Sequence, residues 1–236
     1  MSTVQKLSLA LVGTAVLLMS ANPASAVSLS TGNSISVPGE GQKTNIQGAT
    51  TIDFNSGTAT DPNGFATYST TNGIVQGTQP NQYAAPAGDT SNYLTISPIG
   101  SSVAGSTGSV TINFAKALDY FGLYWGSVDK SNSNLNSIAF FNGDTLLNTF
   151  TGLSVPGTTT NGGDQTSPKD NVFVNFLADP GQTFNKVVLS SSGVAFESDN
   201  HAYRAASVPE PTSMLGLLAF GAVSAGSFIK RKSKLV

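Results

Sequence analysis

Cysteine is absent from this chain of 236 residues. That closes three classes at once: a disulfide framework, a thiolate metal site and a cysteine nucleophile. Charge is scarce, at 10% of residues, and histidine occurs once, as His201. A two-histidine or histidine-rich zinc site needs more than that, and a catalytic triad would need another base. His201 itself reads as a polar residue near the end of the last strands, with no role. No phosphate loop, dinucleotide fingerprint or nucleophile motif is present. No repeat of fixed period points to a solenoid or propeller. Helical periodicity is missing everywhere except in the two end segments.

What remains in the middle is rich in Gly, Ser, Thr and Asn, with β-branched and aromatic residues in short clusters. This is the composition of many strands joined by many turns. Once both ends are set aside, about 180 residues are left, enough for one sandwich domain that folds on its core and sheet ladders alone. From residue 27 to 209 six bases stand against twelve acids, a net of −6. An acidic body disfavours nucleic acid as a partner.

Apolar clusters of four to eight residues recur between turn residues, the spacing of a sandwich or barrel. The candidate strands are 51–54, 65–69, 93–97, 109–114, 120–125, 137–141, 145–150, 172–176, 186–190 and 194–197. Val110, Ile112 and Phe114 alternate with polar Thr111 and Asn113, so that strand should bury one face. The pair Asn142-Gly143 between apolar runs predicts a hairpin with a type I′ turn. Residues 154–170 form a long polar connection, of the kind that is functional or mobile. Residues 76–92 and 130–136 share that character less strongly.

At the N-terminus, Lys6 precedes an apolar run from Leu7 to Met19 and then Ala24-Ser25-Ala26. A basic region, a short apolar region and an A-x-A site make a secretory signal peptide cut after Ala26. A membrane anchor is the competing reading, but the run is short for a span. At the C-terminus, Val208-Pro209-Glu210-Pro211 leads into an apolar run from Met214 to Ile229, followed by Lys230, Arg231, Lys232 and Lys234. As a helix that run is about 24 Å long, slightly short of a bilayer core near 30 Å, a gap that Lys and Arg snorkelling at its end can close. The basic cluster should stay cytoplasmic, which places everything before Pro209 across the inner membrane. Two prolines around one glutamate cannot continue a helix and favour an extended segment open to a protease.

These three C-terminal elements, in this order, resemble the PEP-CTERM sorting signal of Gram-negative bacteria. The resemblance covers about the last 29 residues. It implies recognition and processing by a membrane-embedded exosortase, in bacteria that make extracellular polysaccharide. The body resembles the jelly-roll-like β-sandwiches often found ahead of such tails. Ile52-Asp53-Phe54, Phe121 to Gly126 and Phe196 to Asn200 carry that likeness. The implied organisation is a signal helix over 1–26, one exported all-β sandwich over 27–207, and a sorting tail with a hydrophobic transmembrane helix over 208–236.

Two constellations in the body bear on chemistry. Glu197, Asp199 and Asn200 form the densest cluster of oxygen ligands, and Asp53 could join them if the first and last strands pair. Such hard ligands suit a structural calcium ion, while turn and strand-end chemistry explains the same residues without one. Asp129 to Asn134 fails the EF-hand pattern, with Asn134 where glycine belongs and Phe140 where glutamate belongs. Asn161-Gly162-Gly163-Asp164 is a single copy of a pattern that works only in arrays. Strand alternation puts Phe121, Leu123 and Trp125 on one face, as core. Tyr120 and Tyr124 fall on the other, where they either border a glycan groove or pack.

The expectation is an exported, exosortase-processed surface or matrix protein, structural or adhesive and associated with exopolysaccharide, and not an enzyme. Signal peptidase and exosortase are its processing partners, with the inner membrane a transient station. A polysaccharide-active enzyme, marked by two carboxylates in one groove, is one alternative. A membrane-tethered domain with an uncut tail is the other.

Overall fold

The computed structural model describes residues 26–130, 136–158 and 163–207. Ala24 of the expected cleavage site, the sorting motif Val208 to Pro211 and the basic cluster Lys230 to Lys234 lie outside these residues, as do both expected flanking helices. The described residues are all-β, with one 3-10 turn at Gly152–Ser154. The strands are β1 Val27–Thr31, β2 Ser34–Val37, β3 Gly41–Thr44, β4 Thr50–Ile52, β5 Ala66–Tyr68, β6 Ile74–Gln76 and β7 Asn92–Ile96. They continue with β8 Ser109–Gly126, β9 Asn136–Asn142, β10 Thr145–Thr151, β11 Val172–Ala178, β12 Phe184–Ser191 and β13 Phe196–Ala205. Every pairing between them is antiparallel.

The 18-residue strand β8 organises the domain. Its first half pairs with β12 and β5, and its second half with β11 and β13. Outward from these run β12–β9–β10 on one side and β11–β1 and β13–β7–β6 on the other. Phe140 of β9 meets Phe176 of β11 with ring centroids 4.8 Å apart, and Phe150 of β10 meets Phe176 at 5.2 Å. The two wings of the sheet therefore face one another across an apolar core, as in a β-sandwich. Val110, Ile112, Ile138, Val187 and Leu189 line it from one wing, with Leu123, Val174 and Phe196 from the other.

The alternation expected over 110–114 is present, with Val110, Ile112 and Phe114 buried and Asn113 exposed. Reading 109–114 and 120–125 as two strands is corrected to one continuous strand. The register shifts between Asn113 and Leu118 and leaves Ala115, Lys116 and Ala117 exposed, which interrupts the pattern without ending the strand. The hairpin after β9 forms, but its turn lies one residue later than expected. Asn142 pairs with Thr145, and Gly143 is the first central residue, with φ of +58°. Glycine with positive φ at that position alone is the pattern of a type II′ turn rather than type I′.

The outer face of β8, β11 and β13 is covered rather than open. The hairpin β2–β3 and the segment after it pack across it, bringing Ile46 and Ala49 onto Tyr120, Tyr124 and Phe173. Gly41 sits so close to the Tyr124 ring that a Cβ there would overlap it.

Candidate functional site

Strand β13 positions the acidic residues. It lies between β8 and β7, with Glu197 opposite Gly126 and Thr95. Beyond Asp199 the register with β8 shifts, and Asn200 adopts a φ of +51°. Strand β4 pairs with the far half of β13, Ile52 opposite His201, so Asp53 follows directly alongside. The strand expected at 51–54 thus pairs with β13, but at residues 201–203, beyond the 194–197 strand of the sequence reading.

Three loops rise around Glu197: residues 78–91, Ser127 to Asp129, and 163–171. Buried Asn171 ties them together. Its amide oxygen accepts N–H bonds from Ala87 at 2.9 Å and Ser127 at 3.1 Å. Its amide nitrogen donates to the carbonyls of Asp164 and Ser167 at 2.8 and 2.9 Å. All four hydrogen-bonding positions of the side chain are used, which fixes the walls relative to one another. Asp164 shapes its own turn by accepting the N–H groups of Thr166 and Ser167, and these bonds hold its carboxyl below the usual range.

Between the walls lies a cavity of about 430 Å³ lined by Gln79, Asn81, Gln82, Tyr83, Asp129 and Glu197, among others. Glu197 forms part of its floor. Ala84 N–H donates to its carboxylate at 3.0 Å, and the Ser127 hydroxyl stands 3.5 Å away. Burial pushes its carboxyl up to about 7, against the pull of the Ala84 N–H, with the charge of Asp129 adding to the rise. Burial also raises Asp129. The cavity therefore presents two carboxylates, several amides and one tyrosine ring.

Asp199, two residues on, belongs to a different neighbourhood. It meets Asp89 of the 78–91 loop, and the Ser91 hydroxyl spans both, 2.6 Å from one carboxylate and 3.5 Å from the other. Burial pushes Asp199 up to about 9, and the adjacent negative charge of Asp89 adds to it. Asp53 is half-exposed and stands 3.7 Å from Lys43, which also pairs with Glu40. The quartet Asp53, Glu197, Asp199 and Asn200 is therefore not one cage, because Glu197 turns into the cavity and Asp53 toward Lys43. No three described His, Asp or Glu side chains converge on a metal position.

The two tyrosines call for a correction as glycan contacts. Tyr120 is 0% and Tyr124 2% exposed, so neither has a free ring face for a sugar. The Tyr120 hydroxyl donates to Asn175 at 2.9 Å and pairs with Thr44 at 2.8 Å, while that of Tyr124 donates to the Ala87 carbonyl at 2.6 Å. Burial pushes Tyr120 up to about 12 and raises Tyr124 as well. Both pack beneath the β2–β3 hairpin, a cover built of polar strands with little pattern.

His201 sits in the core rather than near a strand end. Its ring nitrogens meet the hydroxyls of Tyr68 at 2.9 Å and Ser198 at 3.0 Å. Burial pushes it down to about 3, so it is neutral. The Ser198–His201 pair has the composition of a nucleophile and its base, but both residues are sealed from solvent and neither can reach a substrate. Ala26, the residue before the expected cut, lies against the domain, its carbonyl accepting the Asp179 N–H at 3.1 Å.

Sequence reasoning missed Asp89, Tyr83 and Asn171 as members of these sites. The long polar loops were the only signal: 76–92 contains Tyr83 and Asp89, and 154–170 ends one residue before Asn171. Compared with known proteins, the chain matches no family model and no curated protein.

Proposed function

We infer that this chain is an exported, exosortase-processed protein of the cell surface or extracellular matrix, with a structural or adhesive role on exopolysaccharide. In this reading the described strands form a jelly-roll-like sandwich, preceded by a signal helix and followed by a hydrophobic helix. Signal peptidase cuts after Ala26. The tail from Val208 to Val236 holds the chain in the inner membrane until an exosortase acts on it.

The observation that carries the binding role is the cavity above β13. Its amide side chains Gln79, Asn81, Gln82 and Gln165 donate and accept hydrogen bonds as sugar hydroxyls require, and Tyr83 offers a ring at the rim. Its walls are set by Asn171 before any ligand arrives, which lowers the ordering cost of binding. Affinity electrophoresis through gels containing the native exopolysaccharide tests this. The wild-type chain is retarded, and Tyr83→Ala and Gln82→Ala migrate faster. Equal migration with and without polysaccharide contradicts the binding role.

One observation favours a second reading, in which the domain acts on polysaccharide: Asp129 and Glu197 face the same cavity. Two carboxylates flanking a glycosidic bond are what hydrolysis needs. Release of reducing ends from the native polymer, lost in Glu197→Gln, would favour that reading over adhesion.

A further inference from the structure

We propose that Asp89 and Asp199, with the amide oxygen of Asn200, form a calcium site where the 78–91 loop crosses β13. Asp199 and Asn200 are 0% and Asp89 5% exposed. Each has one side-chain oxygen, Oδ2 of Asp89 and Oδ1 of both Asp199 and Asn200, that meets no hydrogen-bond donor. Buried polar oxygens are otherwise nearly always satisfied, and a lone buried carboxylate oxygen is costly. Three such oxygens fall on the 78–91 loop and on two consecutive residues of β13, and the two carboxylates among them are adjacent. With both carboxylates ionised, the polypeptide supplies no donor to these oxygens.

The partner is a cation. The Asp89 and Asp199 carboxylates are adjacent, and Ser91 donates the hydroxyl that spans them. No ion pair among the described residues reaches either one. Lys43 is engaged by Glu40 and Asp53 instead. The Asn200 amide nitrogen donates to the Glu40 carbonyl at 2.6 Å, and Glu40 bridges to Asp89, so Asn200 is tethered to the strand segment that carries the first carboxylate.

The donor set selects the ion. Carboxylate and amide oxygens without imidazole or thiolate suit a hard cation. Calcium accepts irregular oxygen cages, whereas magnesium demands a near-ideal octahedron and keeps its waters. Asp89 also borders a surface hollow lined by Thr78, Ala85 and Thr166. Calcium here would clasp the 78–91 loop to β13 and so brace one wall of the neighbouring cavity.

The test uses the full chain in mild detergent, stripped with EDTA. Calcium chloride is added while native mass spectrometry counts bound ions and thermal unfolding is followed. The site predicts one calcium per chain and an unfolding midpoint raised by about 5 °C in roughly 5 mM calcium, with a smaller rise in magnesium. Asp89→Asn and Asp199→Asn keep the side-chain shape and lose that calcium-dependent rise, while Asp53→Asn retains it. A wild-type midpoint and mass indifferent to calcium overturn the proposal, leaving a proton shared between the carboxylates. A calcium response that survives in both Asn variants also overturns it, by placing the ion elsewhere. Where a variant does not fold, the wild-type titration alone decides.

Discussion

Glu197 and Asp199 stand two residues apart on β13, yet Glu197 lines the larger cavity while Asp199 is buried against Asp89. Glu197 accepts the Ala84 N–H at the floor of the larger cavity, and Asp199 meets Asp89 under the loop that closes beside it. The 78–91 loop contacts both, Ala84 at Glu197 and Ser91 at Asp199. The cavity and the proposed cation site therefore adjoin without sharing a carboxylate.

The wall of the larger cavity depends on Asn171, which joins three loops through four hydrogen bonds. Asn171→Ala leaves the N–H groups of Ala87 and Ser127 without this acceptor. We expect a loss of about 2–4 kcal/mol in urea unfolding, since each abandoned buried group costs about 1–3 kcal/mol. Exopolysaccharide binding should weaken in the same variant even where it remains folded.

The core is tested at Phe140, whose ring contacts those of Phe121, Phe150, Phe176 and Phe184. It joins the two wings of the sheet. Phe140→Ala should lower stability by about 3–5 kcal/mol. Chemical denaturation measures this directly, and a loss below about 1 kcal/mol would contradict face-to-face packing of the wings.

Tyr124→Phe separates packing from recognition. Its hydroxyl donates only to the Ala87 carbonyl, so the variant should lose about 1 kcal/mol of stability and keep its affinity for exopolysaccharide. Reduced affinity with unchanged stability would return Tyr124 to the glycan surface.

Gly41→Ala probes the hairpin that covers that tyrosine. Gly41 has a φ of +65°, and an added Cβ would overlap the Tyr124 ring. A loss of about 1–3 kcal/mol is expected from strain and overpacking together. A neutral effect would mean that the hairpin does not rest on β8.

Strands with alternating apolar residues were legible in the sequence, because burial of one face writes period two into the chain. Val110, Ile112 and Phe114 are the plainest case. Strands β1, β2 and β3 were not, since Ser, Thr, Gly and Gln make up half or more of each, and β6 is only three residues long. Most of β13 was hidden for the opposite reason. Residues 197–201 read as a polar turn, yet they are buried and hydrogen-bonded from several sides. Tyr120 and Tyr124 were placed on the correct face of β8, but what covers that face comes from residues about eighty positions earlier. Asp89 was unreachable for the same reason: nothing local pairs it with a residue 110 positions away in the chain.

The measurement that bears most directly on the exported, processed protein is the intact mass of the chain from native cells, with surface, membrane and medium fractions taken separately. The account predicts a mass running from Val27 to near Pro209, found outside the inner membrane. A mass that retains Met214 to Val236 in the membrane fraction would contradict it, reducing the C-terminal motif to an anchor.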